Sequence, residues 1–128
     1  MFTPEQKIML KVLHNVAGDI QGDTSFDEIT SDNIVEVWEE NDALVQDELY
    51  EFREGEVETG IPSKNYSRHY ECHEVASQMV DGSWVGWTYW YGGGKHGEPE
   101  AVDWIDSAYN LDCVEEEKVM VVRTFSKK

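Results

Sequence analysis

The chain has 128 residues and a net charge of −17, with 27 acidic residues against 10 basic ones. Such a field repels nucleic acid and anionic membrane and attracts basic surfaces. Hydrophobic residues make up 40% and aromatics 12%, too apolar for a fully disordered acidic chain and enough for one modest core.

The charge is not spread evenly. Between Asp19 and Gly60 there are 15 acids and one base, Arg53, a net of −14. Residues 61–128 carry 11 acids against 7 bases. A single domain is expected, with an acidic helical part over residues 1–60 and an aromatic-rich β part over residues 61–128. No apolar run reaches the roughly 18 residues of a membrane-spanning helix, and Met1–Leu13 lacks a signal-peptide pattern. These features, with two cysteines read as free thiols, suggest a cytoplasmic protein.

Thr3-Pro4-Glu5-Gln6 reads as a helix start, with Thr3 as cap, Pro4 at the first helical position and Gln6 closing a capping box. Ile8, Leu10, Val12, Leu13 and Val16 supply its apolar face, and Gly18 its stop. Gly22–Ser25 reads as a loop. A second helical region, capped by Ser31-Asp32, has Ile34, Val35, Trp38, Val45, Leu49 and Phe52 near a 3.6-residue period. Asp42 falls on the apolar side, so Asn41-Asp42 divides the region into two shorter helices, and Gly55 ends it.

Tyr66–Val80 fits strand or helix. Asp81-Gly82 predicts a hairpin turn into Trp84–Tyr91, the clearest strand, whose faces alternate as Trp84, Gly86, Thr88, Trp90 and Val85, Trp87, Tyr89, Tyr91. A glycine loop follows. Glu98-Pro99-Glu100 opens a short helix with Val102, Ile105 and Ala108 inward. Glu115–Glu117 is a turn or strand end, and Val119–Phe125 a final strand. The expected class is α+β: N-terminal helices, then a small antiparallel β-sheet with one short helix.

The acidic helical face is the leading candidate for function, through Glu36, Glu39, Glu40, Asp42, Asp47, Glu48, Glu51 and Glu54. Carboxylates on a rigid frame can stand in for phosphates and occupy a basic groove. Duplex DNA carries one charge per roughly 1.7 Å of axis, and a helix rises about 1.5 Å per residue. The plain alternative is a solvated face that keeps the protein soluble, though solubility needs far less charge.

A second candidate is a ligand site on Trp87, Tyr89, Tyr91, Gly93, Lys95 and His96, where glycines let a backbone approach a planar or phosphorylated molecule such as a nucleotide signal. The glycine run lacks the Gly-Lys-Ser/Thr ending of a phosphate-binding loop. Its structural reading is a core strand followed by a tight turn. His69, Cys72 and His73 would converge on a helix as zinc ligands, with His96 and Cys113 as further donors, but no Cys-x-x-Cys or His-Glu-x-x-His pattern supports them. Cys72-His73-Glu74 could be read as nucleophile and base, yet no enzyme motif accompanies it. No cofactor is called for, and a non-enzymatic protein is expected.

The segment Trp84–Trp104, WVGWTYWYGGGKHGEPEAVDW, resembles part of small acidic proteins encoded by tailed bacteriophages, and the similarity runs from about Tyr66 to Phe125. That group has no established activity to carry over. The resemblance implies a context: such proteins often inhibit host machinery or bacterial defence, and some imitate DNA in their charge. DNA mimics are acidic throughout, whereas residues 61–128 here are near-balanced, which favours a localised acidic face on a separate scaffold. The expected partner is a basic nucleic-acid-binding host or defence protein, without direct contact to nucleic acid or membrane.

Overall fold

In the computed structural model the first helix, α1 (Pro4–Asn15), starts as its residue order dictates. Thr3 Oγ1 accepts from the Gln6 N–H at 3.2 Å, and the Gln6 carboxamide accepts from the Thr3 N–H at 3.1 Å. Two orphan donors are satisfied reciprocally, and Pro4 sits where a missing N–H costs nothing. The structure describes residues 1–20, 25–94, 97–99, 102–116 and 119–128. The expected loop at Gly22–Ser25 therefore falls mostly outside the described residues.

The acidic region forms two helices, α2 (Ile34–Glu40) and α3 (Asp42–Phe52), separated at Asn41. The break follows from phase: a continuous helix would carry Asp42 toward the core. Asn41 is buried instead, and its Nδ2 donates to the Val37 carbonyl at 2.9 Å. The expected cap at Ser31-Asp32 is displaced to Asn33. Asn33 Oδ1 accepts from the Thr30 N–H at 2.7 Å and its Nδ2 donates to the Glu28 carbonyl at 3.0 Å. Its side chain therefore ties down the preceding turn and is not spent on the helix end.

The β part is an antiparallel meander of four strands in the order β1 (Val57–Glu58), β2 (Glu71–Gln78), β3 (Trp84–Tyr91) and β4 (Tyr109–Leu111). Within the ambiguous Tyr66–Val80, Glu71–Gln78 is a strand paired along its length with β3, from Glu71 opposite Tyr91 to Gln78 opposite Trp84, and residues 66–70 are loop and bend. Asp81 closes the hairpin by accepting from the Ser83 N–H at 2.9 Å and from the Ser83 hydroxyl. Those bonds, the hydroxyl first, hold its carboxyl below the usual carboxylate range. The helices cover one face of the sheet. Ile8, Val12, Leu13, Ile34, Val37 and Val45 meet Val75, Val85 and Trp87 in a single core.

The α+β order stands, with three corrections. Of the short helix expected after Glu98, Glu100 and Ala101 lie outside the described residues; among those described there is only a 3₁₀ turn, Ile105–Ser107, preceded by the buried Trp104, with Ile105 and Ala108 packed partly buried against the core as expected. Tyr109–Leu111, unassigned in the sequence reading, pairs with β3. Val119–Phe125 forms no strand. Val119, Met120, Val121, Val122 and Phe125 are 78–96% exposed, because β propensity without a neighbouring edge yields no hydrogen bonds. Among the described residues no helix is long and apolar enough to cross a membrane.

Candidate functional site

Packing of α2 and α3 onto α1 turns their acids outward. On α2, Ile34 and Val37 enter the core, which leaves Glu36 and Glu39 on the opposite side with Glu40 beside them, all exposed. On α3, Val45 is fully buried, and Asp42, Asp47 and Glu51 are exposed, as is Glu54 in the turn beyond. Glu48 is half-buried and accepts from Asn15 Nδ2 at 3.0 Å. Asp42 accepts from Gln46 Nε2 at 3.2 Å, one turn along its own helix. The break at Asn41 means that the regular helical rise spaces these acids only within each helix, and not across both.

Among the described residues the one ion pair is His73 Nε2 to Glu58 Oε1, 3.2 Å apart. Among the described residues none of the eight face carboxylates is within 4.0 Å of a lysine or arginine nitrogen. Their field therefore reaches solvent unneutralised.

The single base of the acidic stretch goes inward. Arg53, the residue that ends α3, is 8% exposed. Its carbonyl accepts from the buried Trp87 indole N–H at 2.8 Å, and its Nη1 donates to the Trp90 carbonyl at 3.1 Å. The Tyr50 and Tyr89 rings lie 4.7 and 5.2 Å from Cζ. Nε is shielded from solvent and has no hydrogen-bond partner among the described residues. Beside it an open cavity of about 180 Å3 is lined by Gln46, Leu49, Tyr50, Arg53 and Trp104. The sequence signal for this residue was its isolation among acids.

The proposed ligand set around β3 is divided. Trp87 has no exposed surface, stacks on Phe52 and lies tilted against Trp104, so it belongs to the core. Tyr89 and Tyr91 are half-buried, 5.4 Å apart, and both touch the His73 ring. Gly92, Gly93 and Gly94 all have positive φ, which explains three glycines in a row. Gly93 also packs so closely on the Tyr70 ring that a Cβ would collide with it. Lys95 and His96 lie outside the described residues.

On the sheet face away from the helices sits a buried carboxylate. Glu74, 7% exposed, accepts from Thr88 Oγ1 at 2.7 Å and from the Tyr109 hydroxyl at 2.8 Å. Asn65 Nδ2 donates to Thr88 Oγ1 at 2.6 Å. Burial first, and then the bond to Glu74, raises Tyr109 far above the ordinary tyrosine range.

The metal and nucleophile readings lose their geometry. Residues 69–73 are not helical: His69 is in a bend before β2, and strand alternation puts Cys72 and His73 on opposite faces. Cys72 Sγ contacts Ser63 Oγ and the Asn65 carbonyl, both at 3.7 Å, while Cys113 is exposed. Among the described residues no group of three or more His, Cys, Asp or Glu side chains is placed to hold a metal ion. The chain matches no protein-family model, no curated protein and no solved structure.

Proposed function

We propose that this chain is a phage-encoded, non-enzymatic inhibitor whose acidic helical face occupies a basic nucleic-acid-binding surface of a host or defence protein. The observation that carries the reading is the absence of cationic partners for Glu36, Glu39, Glu40, Asp42, Asp47, Glu48, Glu51 and Glu54 among the described residues. A fold that merely tolerated acids would lower their repulsion with nearby lysines and arginines.

Charge density supports one refinement. Helix α2 carries three acids in seven residues, about 10 Å of axis. Helix α3 carries four in eleven, about 16 Å. One strand of B-DNA places a phosphate every 3.4 Å or so, roughly three and five charges over those lengths. Each helix therefore comes close to the charge spacing of one nucleic-acid strand and falls well short of a duplex. The backbone that carries these carboxylates is already ordered in packed helices, and their field accelerates encounter with a basic groove. Displacement of nucleic acid from the partner, compared between the native chain and a charge-neutralised face at low and high salt, tests the reading.

A further inference from the structure

Arg53 presents a separate question, independent of the acidic face. It is the one base among 15 acids, yet it is 8% exposed and has no carboxylate within 4.0 Å among the described residues. Its side chain makes a single hydrogen bond there, Nη1 to the Trp90 carbonyl, and Nε–H has no acceptor. Burying a guanidinium without an acid is unfavourable, because the lost hydration is not replaced. In a chain with 27 acids, a missing internal partner leaves room for an external one.

The surroundings define its chemistry. The guanidinium is fixed by the Trp90 carbonyl and by the Tyr50 and Tyr89 rings, and it borders a cavity of about 180 Å3 whose other walls are Tyr50, Trp104, Leu49 and Gln46. A cavity near 150 Å3 holds one benzene-sized ring, whereas ligand pockets for larger molecules start at about 300 Å3. The space beside Arg53 therefore matches one ring, and a nucleotide would project through its open mouth. Each additional negative charge on a ligand is also repelled by the −17 chain, so a monoanion is favoured over a phosphate ester. A flat carboxylate matches the planar donor fork of arginine, and aromatic walls suit a flat ring.

We infer that this cavity is a binding site for a small aromatic monocarboxylate. The carboxylate takes the terminal Nη N–H groups of Arg53 that the Trp90 carbonyl leaves free, and the ring lies against Tyr50 and Trp104.

Benzoate is the probe, with neutral benzamide and inorganic phosphate as controls, followed through the indole N–H resonances by NMR. The Trp104 signal is assigned with Trp104→Phe. Benzoate is expected to shift that signal saturably with a Kd of about 1 mM or below. Benzamide and phosphate should bind at least about 10-fold more weakly. Arg53→Met removes binding. Because Arg53 also supports the fold, Gln46→Glu serves as a second variant: it places a like charge at the rim and should weaken benzoate about 10-fold while leaving the indole spectrum of the free protein native-like. The inference is overturned if benzoate gives no saturable shift up to about 20 mM, if benzamide binds equally well, or if Gln46→Glu binds as tightly as the native chain. Loss of the acidic face's partner binding leaves this result untouched, since none of the eight face carboxylates lines the cavity.

Discussion

The indole N–H of Trp87 donates to the carbonyl oxygen of Arg53 at 2.8 Å, which joins the clearest strand in the sequence to the end of an acidic helix 34 residues earlier. The last carbonyls of a helix have no partner within it, and here a core side chain supplies one. Trp87 also stacks on Phe52, 5.4 Å between centroids. The aromatic half of the chain thus holds α3, and the acids on it, in place.

Trp87→Phe therefore leaves the Arg53 carbonyl without its donor and is expected to cost about 1–3 kcal/mol from that bond alone, before any loss of packing. Urea unfolding measures the total. Hydrogen exchange should show the last turn of α3 opening first, and unchanged protection there would contradict the anchoring role.

Gly86 lies in the middle of β3, where a Cβ would come 2.7 Å from both Tyr109 Cε2 and Leu111 Cδ1. The missing side chain is what lets the Tyr109 ring lie over the strand and reach Glu74. Gly86→Ala is expected to destabilise the fold by about 1–3 kcal/mol through overpacking. Adding Leu111→Ala should recover part of that loss, since the two sites share one contact. Strict additivity in the double-mutant cycle would count against this packing.

Burial and the bond to Glu74 raise the Tyr109 pKa in the fold. A raised folded-state pKa gives stability that is fully present below the unfolded value, about 10, and is lost as pH climbs through the folded value. Tyr109→Phe should therefore lie below the native chain in stability at pH 7, and the gap should narrow above about pH 10. Thermal unfolding of both chains from neutral to alkaline pH checks the sign; a gap that widens with pH would refute it.

The five large apolar residues of the 119–125 segment are exposed and contribute little to the core. Deleting residues 119–128 should change unfolding free energy by no more than about 0.5 kcal/mol. It should also reduce self-association at high concentration, because an exposed β-prone apolar stretch invites aggregation. A loss above about 2 kcal/mol would mean that the segment packs on the fold.

What could be read from the sequence was local. Thr3, Pro4 and Gln6 sit within four residues, so the capping box was complete on the page. The break at Asn41-Asp42 followed from helical phase, and the Asp81-Gly82 hairpin from turn chemistry. Features resting on distant pairing were hidden. Strand β1 is only Val57–Glu58, opposite Ala76 and Val75, and its residues look like the tail of an acidic helix. The Glu74–Tyr109 contact spans 35 residues. Val119–Phe125 has the composition of a strand, but composition does not supply a neighbouring edge.

The site followed the same division. Outward placement of the acids was legible, because Ile34 and Val45 mark the inward side of their helices, although the expected Val35 is exposed and Val37 takes its place in the core. The inward placement of Arg53 was not, since it is held by Trp87, Tyr89 and Trp90 in the other half of the chain. Trp87 looked available for a ligand because strand alternation does not say which face the helices will cover.

The central claim is that unpaired carboxylates on α2 and α3 displace nucleic acid from a basic protein. The most direct measurement isolates the protein captured by this chain from bacterial lysate and loads it with labelled nucleic acid. Displacement by the native chain is then compared with displacement by a variant carrying Glu36→Gln, Glu39→Gln, Glu40→Gln, Asp47→Asn, Glu51→Gln and Glu54→Gln. The native chain should displace the label at about 50 mM salt and lose most of that ability by about 500 mM. The variant, with an unchanged circular dichroism spectrum, should fail at both. Equal displacement by the two chains, or displacement insensitive to salt, would contradict the account.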